Sequence, residues 1–269
     1  MPTKLNTVAG ENLSTALGGA PSSGDSVYLK EGNNTYTAGL SLPAIDLALL
    51  ALMPGWGGDM GNDSTYLDIS VSNGADARLI LAWAGRFAHI RGGTVAAFDT
   101  VEMRPTRGGR VVLRDAAVPN LIQSSGVLEL KDTLDAENVR VGGGKCTLEY
   151  SSDAGTLAEA SGSGLIEVHR VMATVRAQGG GRVIFGRDDK PPSSALEVLG
   201  GGYVKYLGGT VPSLVLKPGG VLDLREATQP ITITAAELHE GGKILFPIGS
   251  AALTWTAATV YGRDPRNPE

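Results

Sequence analysis

The 269-residue chain is 42% hydrophobic but only 5% aromatic and carries 38 glycines and 14 prolines, so it can bury a large core of small side chains in thin layers. Its 23 basic and 28 acidic residues leave a net charge of −5, and the basic ones are scattered, which argues against a nucleic-acid partner. The opening residues lack an apolar signal core and the longest uninterrupted apolar run is Leu47–Met53, so neither a secretion signal nor a membrane partner is expected.

Residues 1–24 are polar and small, ending in Gly18-Gly19-Ala20-Pro21-Ser22-Ser23-Gly24, and read as a flexible N-terminal arm. Residues 25–86 read as an N-terminal cap and first strands, with Val27–Leu29 and Tyr36–Leu42 as strand candidates. The run Pro43–Met53 is ambiguous: Pro43 suits a helix start, yet Ile45, Leu47 and Leu49 alternate. We read it as part of a strand-rich cap with at most a short helix. Trp56, Trp83 and Trp255 lie toward the ends and the cap, where a large ring can cover an exposed rung.

Residues 87–250 repeat one pattern, two apolar-alternating triplets joined by a glycine corner. Counting the last corner glycine as zero, positions +2 and +4 are occupied by Val95/Ala97, Val111/Leu113, Leu128/Leu130, Cys146/Leu148, Ile166/Val168, Val183/Phe185, Val204/Tyr206, Leu222/Leu224 and Ile244/Phe246. The corners are Gly93, Gly109, Gly126, Gly144, Gly164, Gly181, Gly202, Gly220 and Gly242, with a mean period of about 18.6 residues and spacings of about 16 to 22. Alternation at period two means strand, and constancy of phase means that one face of every strand meets a shared core. Glycine recurring at one phase marks a bend present in every unit. The expected fold is therefore all-β: a parallel β-helix, or β-solenoid, of about nine glycine-cornered rungs with an N-terminal cap. The alternative is a series of antiparallel hairpins packed as a sandwich or barrel. A rung of this length can be three-sided or flattened, and the pattern does not choose. Residues 251–269 read as a C-terminal strand and a tail that frays from Tyr261 onward.

Residues able to carry chemistry are few, and no catalytic, cofactor-binding or metal site is expected. His89, His169 and His239 fall in different repeats without a metal-ligand spacing; His89, four before Gly93, reads as a hydrogen-bonded inward residue. Glu129, Glu167 and Asp223 share the outward +3 phase but alternate with Thr147, Ile184 and Lys205, so no acidic ladder of the kind glycan cleavage needs is formed. Asp188-Asp189 lies in a Pro-rich loop and reads as solvated. Gly142-Gly143-Gly144-Lys145 lacks the spacing and following hydroxyl of a phosphate loop. The lone Cys146 faces the core, and the sequons at Asn12, Asn33 and Asn62 come without a secretory context.

The stretch from Gly24-Asp25-Ser26-Val27-Tyr28-Leu29 through Tyr36-Thr37-Ala38-Gly39-Leu40, with Pro54-Gly55-Trp56-Gly57-Gly58-Asp59-Met60-Gly61 and Tyr66-Leu67-Asp68-Ile69, resembles the opening of β-helical virion proteins of tailed bacteriophages. The glycine-cornered rungs that follow, to about Phe246, are similar in style. The resemblance implies a non-enzymatic capsid decoration protein or head fibre on the virion surface, a homotrimer bound to the major capsid protein lattice. The competing expectation is a receptor-binding or glycan-active segment of a tail fibre or tailspike, for which the acid-lined body is lacking. An extracellular adhesin repeat is a third, disfavoured by the missing secretion signal.

Overall fold

The computed structural model describes residues 3–5, 17, 22, 24–32, 35–36, 48–69, 77–92, 98–132, 135–149, 154–186, 190–249 and 251–266. Among these there are strands, turns and bends but no helix, and every strand-to-strand pairing is parallel. The chain is a β-solenoid of about nine turns, and the antiparallel alternative is excluded. It divides into two compact units, Met1–Asn138 and Val139–Glu269.

In the first unit one sheet contains Thr3–Leu5, Ser26–Leu29, Leu49–Leu52, Arg78–Leu81, Thr100–Met103 and Ala117–Gln123 in that order. The strand Asp135–Val141 crosses the unit boundary. The register stacks Val27, Leu50, Leu79, Val101 and Leu121 in one inward column and Leu29, Leu52, Leu81, Met103 and Gln123 in the next. Residues 25–86 thus supply strands to the ladder itself, and the ambiguous run resolves as the strand Leu49–Leu52; residues 37–47 lie outside the described ones. The second sheet holds Leu67–Ile69, Phe87–Gly92, Arg110–Arg114 and Val127–Lys131. Its inward column runs Tyr36, Met60, Ala88, Val111, Leu128, all buried.

In the second unit one sheet runs Gly155–Ala160, Met172–Ala177, Ala195–Val198, Gly209–Leu216, Ile231–His239 and Leu253–Tyr261. The other runs Lys145–Leu148, Leu165–Val168, Arg182–Phe185, Tyr203–Lys205, Val221–Asp223 and Lys243–Leu245. From Gly109 to Gly220 every +2 and +4 residue of the repeat is buried, and at the last copy Ile244 is buried while Phe246 is half-buried. The copy at Gly93 is the exception. Val95 and Ala97 lie outside the described residues, and the strand beside Arg110–Arg114 is Phe87–Gly92, with Ala88 and Ile90 aligned on Val111 and Leu113.

The cross-section that the sequence left open is set by a second bend, one that uses no glycine. In Gly209–Leu216 the buried positions are Val211, Leu214 and Leu216, and in Ile231–His239 they are Ile231, Ile233, Ala236 and Leu238. Two successive residues, Pro212-Ser213 and Thr234-Ala235, therefore face outward together and shift the alternation by one. Each such rung presents three inward runs, for example Ile231/Ile233, Ala236/Leu238 and Ile244.

The corners need glycine for two separate reasons. Gly201 has φ +74°, a left-handed conformation costly for other residues. Gly202, beside it, has no such requirement, but a Cβ there would sit 2.1 Å from the Ala177 carbonyl oxygen of the preceding rung. Core volume is shared across each rung: small Ala158, Ala160 and Ala177 stack in one sheet while Phe185 and Tyr206 meet edge-on at 4.9 Å on the other side.

Candidate functional site

The outward +3 column of the second unit runs Thr147, Glu167, Ile184, Lys205, Asp223, Leu245 in register, so Ile184 and Lys205 stand between its two acids. Both acids are engaged structurally. Asp223 is buried and accepts hydrogen bonds from the Arg225 guanidinium at 2.7 and 3.0 Å and from the Tyr203 hydroxyl at 2.7 Å. The Arg225 fork, helped by that hydroxyl, holds its carboxyl far below the usual carboxylate range. Glu167 pairs with Lys145 at 2.8 Å. In the first unit Glu129 takes a fork from Arg110 at 2.8 and 2.9 Å, which lowers its pKa. A general acid needs the opposite shift, so neither Asp223 nor Glu129 is poised as one. Asp188 and Asp189 lie outside the described residues.

Cys146 sits in the inward column beside Ile166, and burial pushes its thiol far above the ordinary range, so it is a core residue without thiolate character. His169 packs its ring where a Cβ on Gly186 would stand. His239 contacts Glu237 and the Lys217 ammonium, and its ring stacks on Tyr261 at 4.5 Å. No group of His, Cys, Asp and Glu suited to a metal ion occurs among the described residues.

His89 differs from the sequence reading. It occupies the outward phase, aligned on Val112 and through it on Glu129, yet it is only 4% exposed. The cover comes from its neighbours: Tyr66 and Phe87 meet the imidazole edge-on at 5.6 and 5.8 Å. Burial lowers its pKa, with Asp63 opposing that shift, so the ring is neutral at pH 7. Neither ring nitrogen has a hydrogen-bond partner among the described residues; Nδ1 is 3.9 Å from Asp63 Oδ1, beyond hydrogen-bond reach.

Around this ring lies a cleft of about 280 Å³ lined by Asn62, Asp63, Arg86, Phe87, His89 and Arg110. One wall is a tight turn in which the Asn62 side-chain oxygen accepts from the Ser64 and Thr65 N–H groups at 2.8 and 2.9 Å, leaving Asp63 at the tip with 92% of its side chain exposed. The opposite wall is set by buried Asp59, which accepts from the Arg86 and Phe87 backbone N–H groups at 2.7 and 3.1 Å and from Arg86 Nε and Nη2 at 3.2 and 3.0 Å. Arg86 and Arg110 each spend Nε and Nη2 on a carboxylate. Among the described residues nothing engages their Nη1 groups. Sequence reasoning missed this site because it placed His89 inward and read Asn62 only as a sequon. The available signal was the Ala88/Ile90 pair, which forces His89 outward, together with the turn-forming run Asn62-Asp63-Ser64.

The last strand of the second unit, Leu253–Tyr261, leaves its inward-phase Leu253, Trp255 and Val260 half-buried and Ala258 exposed. Beyond this strand Arg266, forked to Asp264, lies over the Trp255 ring at 5.6 Å. No helix among the described residues is long and apolar enough to cross a membrane. No protein-family model, no curated protein and no solved structure matches this chain.

Proposed function

We propose that the chain is a non-enzymatic structural protein of a phage virion, a decoration or cement protein that docks as a homotrimer on the major capsid protein lattice. The observation that supports this reading is the in-register parallel ladder from Gly155–Ala160 to Leu253–Tyr261. Backbone pairing from rung to rung makes a scaffold that is stiff without cofactor or metal, and repeat arrays of this kind offer extended surfaces for packing against copies or against a shell. The outward carboxylates are consumed by ion pairs, which suits a passive surface better than a hydrolytic one. The test is addition of purified protein to undecorated capsids. Saturable binding at micromolar concentration is expected, and its absence would remove the proposal.

A further inference from the structure

We propose that the cleft beside His89 is a binding site for an acidic saccharide unit, a ring that carries one carboxylate and several hydroxyls. The inference goes beyond capsid docking and does not depend on it. Three features of the cleft select this chemistry.

The first is an unmet hydrogen-bonding group. The Nδ1 of a neutral imidazole, buried and without a partner, has surrendered water without replacement, a cost that a ligand atom can recover. The second is the separation of Nδ1 from Asp63 Oδ1. At 3.9 Å the two do not bond each other, but one hydroxyl can sit within hydrogen-bonding distance of both, donating to the carboxylate and accepting from the imidazole N–H. The third is the pair of guanidinium groups. Asp59 and Glu129 fix Arg86 and Arg110 through one edge each, so their Nη1 donors are held in place by partners already bound. Two positioned cationic donors suit a carboxylate, the acceptor that guanidinium recognises best.

Phe87 adds an apolar wall against which a sugar ring can lie. A cleft of about 280 Å³ has room for one such unit. A bare carboxylate leaves the buried His89 Nδ1 without a partner, and a neutral sugar brings no charge to the two guanidinium groups; an acidic sugar answers both.

The test is titration calorimetry of the full chain with glucuronate and galacturonate, with glucose and acetate as the ring without the acid and the acid without the ring. At least one uronate is expected to saturate at millimolar concentration or below, at least about tenfold tighter than glucose or acetate. Asp63→Asn, at a side chain that is 92% exposed, should weaken that binding about tenfold with unchanged thermal unfolding, and Arg86→Gln should weaken it about as much while lowering the unfolding temperature, because Arg86 also pairs the buried Asp59. Docking to capsids should be unaffected in both variants, which separates this site from the proposed function. Equal affinity for glucose or for acetate would overturn the proposal, as would uronate binding indifferent to both substitutions. Absence of saturable binding of any uronate up to about 20 mM would overturn it as well.

Discussion

The two units solve the same corner in different materials. In Met1–Asn138 the corners hold large rings as well as stacked backbone: Tyr36, Trp56 and Trp83 are fully buried, and a Cβ on Gly85 would meet the Gly58 carbonyl oxygen at 2.1 Å and the Trp83 indole at 2.3 Å, one on Gly109 the Gly85 carbonyl oxygen at 2.8 Å and the indole at 3.1 Å. In Val139–Glu269 they are filled by backbone: a Cβ on Gly181, Gly202 or Gly220 would meet a carbonyl oxygen of the preceding rung at 2.2, 2.1 or 2.5 Å. Glycine makes room for a stacked peptide in both, and in the first unit for an indole as well. The lesson is that the corner glycine excludes a side chain in either unit, whereas the corner at Gly85 and Gly109 depends in addition on one large residue.

Removing the large residue should have the greatest effect. Trp83→Ala is expected to cost about 3–5 kcal/mol, read as a lowered denaturation midpoint and as faster amide exchange in the rungs around it. Gly202→Ala should cost about 2–3 kcal/mol, because the methyl group strikes backbone that cannot rotate away. Gly249→Ala, with nothing within 4 Å, should stay within about 0.5 kcal/mol and serves as its control. If Gly202→Ala proved as mild as Gly249→Ala, the claim that stacked backbone excludes a side chain at this corner would be lost.

Smaller effects sharpen the same contrast on the outer faces. Arg225 holds the Asp223 carboxyl below its unfolded value, so the stability this group provides is complete above about pH 4 and is lost as pH falls further. Denaturation midpoints for the wild type should fall more steeply on acidification below pH 4 than those for Asp223→Asn. Arg176 bridges Glu159 and Glu197 across adjacent rungs, with a third of its side chain exposed. Arg176→Ala should cost under about 1 kcal/mol, and less still in high salt.

Legibility in the sequence follows the same division. Where backbone fills the corner, two glycines recur at fixed phase and the +2/+4 rule finds the buried pairs, as at Val204/Tyr206 and Leu222/Leu224. At Gly85 the phase differs: Ala88 and Ile90 lie three and five residues beyond it, and the count from Gly93 falls on Val95 and Ala97, outside the described residues. The strands Ser26–Leu29, Leu49–Leu52 and Arg78–Leu81 belong to the ladder but have no recurring corner to announce them. The second bend was hidden because Pro212-Ser213 and Thr234-Ala235 share no residue type, only the property that two neighbours face out. The His89 cleft could not be read locally, since it exists only because the Asn62–Thr65 turn lies beside a strand that begins more than twenty residues later.

The stacking register is the claim on which both the fold and the proposed function depend, and paired cysteines test it directly. Ser213 and Ala235 are partners in adjacent parallel strands, whereas Ser213 and Glu237 are offset by two residues. The double variant Ser213→Cys/Ala235→Cys should close a disulfide under mild oxidation, because strands about 4.8 Å apart bring the two Cα atoms within bonding range. Ser213→Cys/Glu237→Cys should remain reduced in the monomeric fraction. Closure of the offset pair with the register pair left open would contradict the parallel stack.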